Sequence, residues 1–220
     1  MVRAGRVAVG GKVIRNPDAP TDHSKDKITV DGSPIQAAAP LYLMLNKPRG
    51  FVTTARDELE RQTVFDLLPP NLRGSHLCAV GRLDKATEGL LLLTNDTAFA
   101  AALTEPASHV DKIYHVQVQG VADEALMARM KRGVEDEGDF LRAKTVSLLR
   151  SGGKTCWLEI TLDEGKNRHI RRLLDALGQE VVRLVRVQIG SLPLGELTKS
   201  EHRALTKEEV AQLRRESGVE

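Results

Sequence analysis

Apolar residues along this chain recur with two different periods. In "KIYHVQVQ" (112–119) and "CWLEITL" (156–162) every second position is apolar, the spacing of a strand with one buried face. In "HIRRLLDALG" Ile170, Leu173, Leu174 and Leu177 fall at i, i+3, i+4 and i+7, the spacing of an amphipathic helix that Gly178 ends. "LLLLT" (90–94) has no period at all and predicts a strand buried on both faces. Further strands are expected in "LYLMLN" (41–46), which runs into a Lys47-Pro48-Arg49-Gly50 turn, and in "VVRLVRVQIG" (181–190). Helices are expected at 63–69, opened by Thr63 and stopped by Pro69, and at 97–105, between Asn95-Asp96 and Pro106. Two more are expected between Asp123 and Gly133, and from 206, where Thr206 and Glu209 match a capping box. Strands with helices interspersed predict an α+β domain: a mixed, mostly antiparallel sheet flanked by helices, with a central active-site cleft.

Residues 1–36 have a different texture. "GRVAVGGKVI" reads as a hairpin about Gly10-Gly11, and "DKITVDG" as a short strand closed by Asp31-Gly32. With few large apolar residues, this piece makes a marginal core by itself. "SPIQAAAP" reads as a linker, placed at 37–40, with the main domain at 41–220.

Composition adds little beyond solubility. The 220 residues are 41% hydrophobic and 28% charged, with a net charge of +2, so any preference for an anionic partner must lie in how charge is distributed. Aromatic residues make up only 3%, so the core must be aliphatic. Cys78 and Cys156 lie far apart, form no CxxC and are expected as reduced thiols. No apolar run approaches membrane-span length, and the start lacks the apolar middle of a signal peptide, so a cytoplasmic protein is expected.

Charge concentrates at the ends of apolar elements. "GRLDKATEG" (81–89) interrupts two apolar runs with Arg82, Asp84, Lys85 and Glu88. Such charges are tolerated on a loop fixed by a rigid core, where catalytic groups commonly sit. Lys112 and Tyr114 begin a strand. "EGKNRHIRR" (164–172) carries a dense run of cations into a helix N-terminus, where they oppose the helix dipole unless an anion joins them. Residues 47–49 and 166–172 together hold seven basic residues, counting His169, and no acid. No His, Cys and Asp cluster has metal-ligand spacing, so no metal is expected. An aspartyl-phosphate loop would need an acid two residues beyond Asp84, where Ala86 stands. A glycosidase would need a second flanking carboxylate, for which Glu88 is the nearby candidate.

"LMLNKPRGFVTT", "VGRLDKATEGLLLLTND", "KIYHVQV" and "EGKNRHIRRLLDALGQEVVRLVRVQIGSLPLGEL" resemble the bacterial ribosomal-RNA pseudouridine synthases. The resemblance is to the branch that modifies single uridines (the RsuA/RluB/RluE/RluF group), over about residues 41–210. Residues 1–36 resemble the second half of an S4-type RNA-binding domain, a partial module. The resemblance implies isomerisation of a uridine in rRNA, 23S preferred over 16S, by a cytoplasmic monomer without cofactor. It makes Asp84 the essential nucleophile or base, Tyr114 the stacking platform for the target base and Arg171 the partner of the aspartate. Ile170 lines the pocket, and Arg82 holds the flipped nucleotide. His169 stands where the family carries Gln. Lys47, Arg49, Lys166, Arg168 and Arg172 are expected to hold phosphates. A non-catalytic rRNA-binding assembly factor is the alternative.

That chemistry suits these residue types. The carboxylate must stay ionised while partly buried, and a guanidinium keeps its charge in any environment. The base must leave the RNA stack, at a cost of a few kcal/mol. An aromatic face returns roughly 1–3 kcal/mol of that by stacking.

Overall fold

A computed structural model describes residues 1–22, 25–35, 39–55, 57–73 and 75–218, in two compact units, Met1–Ala39 and Pro40–Glu220. Residues 37 and 38 of the expected linker lie outside the described residues. Ser33–Pro34, read from sequence as the start of that linker, is instead a strand that pairs with Thr29 and Val30.

The smaller unit is a four-stranded antiparallel sheet. Val7–Val9 and Lys12–Ile14 form the expected hairpin about Gly10-Gly11. Both glycines have positive φ, as a two-residue hairpin loop of this hand requires. Asp31-Gly32 repeats the device between Ile28–Val30 and Ser33–Pro34.

The larger unit is built on a nine-stranded sheet. Its central path runs from Thr145–Ser151 through Thr155–Leu162, Lys112–Gln119, Val181–Ile189, Glu88–Thr94 and Tyr42–Lys47 to His202–Ala204. Every pairing is antiparallel except Val181–Ile189 with Glu88–Thr94. The sheet is therefore mixed and mostly antiparallel, with helices packed on it, an α+β architecture.

Glu88–Thr94 is the hinge of this arrangement. Tyr42–Lys47 pairs along one edge, from Lys47 opposite Gly89 to Tyr42 opposite Thr94. On the other edge Val185 and Arg186 pair only with Glu88 and Gly89. Cys78–Val80 takes over that edge opposite Leu92 to Thr94. Two strands thus share one edge and diverge from each other, opening a cleft where residues 81–87 emerge. Gly89 permits the junction: its φ is +102°, and a Cβ there would lie 2.2 Å from the Arg186 carbonyl oxygen.

Burial follows the sequence periods. All of Glu88–Thr94 is buried, with Leu90 and Leu92 in one apolar cluster and Leu91 and Leu93 in another on the opposite face. Thr97–Thr104 and Lys207–Glu216 contribute Phe99, Leu103 and Leu213 to the first of these. Beyond the cleft a third cluster gathers Val116, Leu158 and Ile160 from the strands with Leu173 and Leu174 of the His169–Ala176 helix. Tyr114 packs against this third cluster and against that of Leu91 and Leu93. Among the described residues, no helix is long and apolar enough to cross a membrane.

Candidate active site

The loop at 81–87 is held with unusual completeness. Leu83 anchors it by packing with Leu91, Leu93 and Val64. Each backbone carbonyl from Leu83 to Thr87 then accepts a hydrogen bond from outside the loop. Thr53 Oγ1 donates to Leu83 O at 2.7 Å, and Gly50 N donates to Lys85 O at 2.8 Å. Lys47 Nζ donates to Asp84 O at 3.1 Å, to Thr87 O at 2.7 Å and to its neighbour Pro48 O at 3.1 Å. Arg171 Nη2 reaches Ala86 O at 3.2 Å. With the backbone so fixed, the Asp84 carboxylate is left facing the cleft, its side chain 29% exposed.

The segment "NKPRGFVTT" thereby acquires a purpose as the cradle of this loop. Lys47, expected to grip phosphate, is instead fully buried with three acceptors around its ammonium. Burial lowers its pKa to about 8, against the opposing pull of Asp84 and Glu88.

A cavity of about 180 Å³ lies beside Asp84, a space for a single ring rather than an extended ligand. Its walls come from three strands and the helix entrance: Tyr114, Leu162, Leu184 and Ile170 supply apolar surface. Arg82, Lys166, Arg168 and His169 also line it, so most of the sequence-expected residues converge here. Arg49 is exposed on the neighbouring turn.

Three of the expected cations, Arg171, Arg172 and Lys166, have internal partners. The ion pair within 4 Å of the Asp84 carboxylate is made by Arg168, Nη1 to Oδ2 3.6 Å, while Arg171 feels the Asp84 charge without a direct bond to it. Arg168 precedes the helix with φ +49°, a left-handed turn that directs it toward the Asp84 loop. Arg171, further along the helix, instead supports the loop backbone. Arg172 is not free for phosphate: it bonds Asp136 at 2.6 Å and Asp139 at 2.7 Å, tying the helix to the Val134–Asp136 and Asp139–Leu141 hairpin. Lys166 donates to Phe140 O at 2.7 Å and pairs with Glu164 at 3.2 Å.

His169 is buried, and its Nε2 accepts from the Arg142 backbone N–H at 3.2 Å. A neutral ring must then carry its proton on Nδ1, 3.9 Å from Glu164. Burial lowers its pKa against the pull of Glu164, favouring that neutral form.

Glu88 does not face the cleft chemistry. Burial alone would raise its pKa, but Arg183 at 2.9 Å and Lys199 at 2.7 Å outweigh this and hold it ionised. A second acid for glycoside hydrolysis is therefore not supplied by Glu88.

One cavity residue, Arg186, went unread in the sequence. Arg186 is 5% exposed on the floor beside Tyr114, with which it pairs in register, and Lys112 lies near it. The available signal was Arg186 itself, a cation two residues from Leu184 and so on the same face of its strand.

The chain's similarity to known proteins follows the same residues. Residues 41–176 match the family model described as RNA pseudouridylate synthase. An "Uncharacterized RNA pseudouridine synthase" of Aquifex aeolicus is 36% identical over 100% of this chain and 88% of its own length. A "Ribosomal large subunit pseudouridine synthase B" of Bacillus subtilis is 37% identical over 97% of this chain and 87% of its own. Among solved structures, one described as a pseudouridylate synthase superposes with a TM-score of 0.72 at 29% identity, over 96% of this chain and 90% of that one.

Proposed function

The chain belongs to the RNA pseudouridylate synthase family, and we propose that it converts a uridine of ribosomal RNA, in the large subunit, to pseudouridine. The observation that carries this reading is the Asp84 carboxylate, held on a loop whose carbonyls from Leu83 to Thr87 are engaged, beside a one-ring cavity faced by Tyr114. A pure RNA-binding factor has no use for so closely fixed a carboxylate.

The residues divide the work as follows. A looped or bulged target base leaves its stack and enters the cavity, where the cost of extrusion is least. Tyr114 stacks on it and Ile170 closes the apolar side. Asp84 acts on the nucleotide as nucleophile or base, with the Arg168 guanidinium beside it. The uracil separates from C1′, turns over and rejoins through C5, with no change of oxidation state and no need of a redox cofactor or metal. Arg49, Arg82 and Arg168 hold phosphates at the mouth. The protein acts as a cytoplasmic monomer, and residues 1–36 serve as a partial S4-like contact to RNA, a reading supported by their two tight hairpins.

Asp84→Asn tests the assignment. Ribosomal RNA from cells lacking the protein is treated with wild type and variant, and pseudouridines are mapped. Wild type restores one modified position; the variant is expected to keep its melting temperature and RNA affinity while losing the reaction. Activity above about a tenth of wild type would remove Asp84 from the central role.

A further inference from the structure

The floor of the cavity carries an unfinished hydrogen-bond set. Arg186 donates from Nε to Leu90 O at 2.8 Å, but its Nη2 is buried and finds no partner among the described residues. A buried guanidinium N–H without an acceptor is costly, and native proteins rarely leave one unless a ligand completes it. The residue also lines the cavity that Asp84 and Tyr114 face. Lys112 lines the same cavity, half-buried, and lies close enough for the two positive charges to oppose each other. Among the described residues no carboxylate is hydrogen-bonded to Arg186.

We propose that Arg186, with Lys112 beside it, receives the negative charge of the uracil ring while that ring is detached from its ribose. The proposal rests on the function argued above and adds a residue to it. When the C1′–N1 bond breaks, both electrons remain on the base. The departing ring is then an anion, its charge shared among N1, O2 and O4. The ring must turn before C5 bonds to C1′; C5 then loses its proton and N1 regains one, so the product is an isomer. Tyr114 can stack on the ring but cannot neutralise it, and Asp84 carries the wrong sign. A fixed cation that already lines the cavity and holds an unsatisfied donor needs little reorganisation as the charge develops. Its fork can follow a ring oxygen in either orientation of the base.

Two measurements on the full chain test this. The first needs no turnover: barbiturate, a uracil-like ring that is anionic at neutral pH, is compared with neutral uracil by calorimetric titration. Wild type is expected to prefer barbiturate by about tenfold or more, and Arg186→Gln to lose that preference. Equal binding of the two rings by wild type, no binding of barbiturate, or a preference kept by the variant would overturn the proposal. The second is single-turnover isomerisation of rRNA. Arg186→Gln is expected to slow the step about a hundredfold with RNA affinity unchanged, and Arg186→Lys to retain most of the rate. Arg186→Ala should regain activity with added guanidinium ion and not with urea, its neutral isostere. A role limited to clamping the strand through Leu90 O would make Lys and Gln equally slow and remove the difference between guanidinium and urea; that result overturns the proposal. Wild type that binds barbiturate selectively yet modifies no uridine would instead count against the function itself.

Discussion

Two basic stretches, 47–49 and 166–172, look alike in sequence, yet the fold uses their members in opposite directions. In the first, Lys47 turns inward and is wholly buried, while Arg49 stays at the surface. In the second, Arg172 is drawn onto Asp136 and Asp139, Arg171 onto Ala86 O, and Arg168 alone keeps half its side chain in solvent. The difference lies in what each cation meets. Residues 84–87 present carbonyls that no strand partner satisfies, and the hairpin at 134–141 presents carboxylates over the helix. Cations nearest those groups become structural. A run of positive charge is therefore a poor measure of an RNA surface until its internal partners are known.

The largest effect should come from removing the inward cation. Lys47→Met leaves the carbonyl of Thr87 without its donor and Asp84 O with only the Thr87 N–H, in a buried site. A loss of about 2–4 kcal/mol in the urea-unfolding free energy is expected, with near-complete loss of activity as the Asp84 loop relaxes. The same group predicts two pH responses of opposite sign. Its folded pKa of about 8 lies below the 10.5 of a free lysine side chain. Between these values the unfolded chain holds a proton that the folded chain has given up. The stability contribution is thus fullest above the unfolded value and is lost as pH falls through about 8. Activity runs the other way, because a neutral amine has two protons for three carbonyls. The rate should decline as pH rises through about 8 while the contribution of Lys47 to stability climbs. A flat rate between pH 7 and 9 would separate Lys47 from the function of the loop.

These inward contacts mark where the sequence could be read and where it could not. Helix boundaries were legible because local chemistry encodes them: Asp96 accepts from Phe99 N, Asp123 from Leu126 N, and Thr206 exchanges bonds with Glu209. Strands with one or two buried faces were legible for the same reason. Thr145–Ser151 was not, because it is a mostly exposed edge strand with no period to detect. His202–Ala204 is a strand only by its register with Leu43–Leu45. Asp84, Tyr114 and Ile170 come from three distant segments, and only the resemblance joined them. Arg186 stayed hidden because its face depends on the register of its strand, which shifts just beyond it. Which cations are consumed internally depends on long-range neighbours that no local pattern contains.

A smaller effect is expected from Arg172→Ala. Its two carboxylate contacts join the helix to a hairpin at a partly exposed site, so a loss of about 1–2 kcal/mol in stability should appear by thermal or urea unfolding. The salt dependence of RNA binding should not change, since Arg172 has no free donor face for a phosphate. A flatter salt slope in this variant would show that the hairpin releases Arg172 when RNA binds, and the distinction between the stretches would fail at that residue.

The smallest expected change, and the sharpest for the comparison, concerns Arg168. Its guanidinium sits 3.6 Å from the Asp84 carboxylate, an ion pair too long for a good hydrogen bond, with the side chain 51% exposed. Such a contact adds little to stability, so Arg168→Ala should leave the unfolding midpoint nearly unchanged. If Arg168 also meets a phosphate at the cavity mouth, the variant releases one fewer counterion on binding. The slope of log K against log salt should then flatten by about 0.7–0.9. Arg49→Ala should do the same, and the double variant should lose the sum, because the two contacts are independent phosphate neighbours. Choice of uridine should not change in any of them, since phosphate contacts set position and the flipped base sets identity. An unaltered slope in Arg168→Ala would assign the residue wholly to Asp84, and the outward member of the helix stretch would join the inward ones.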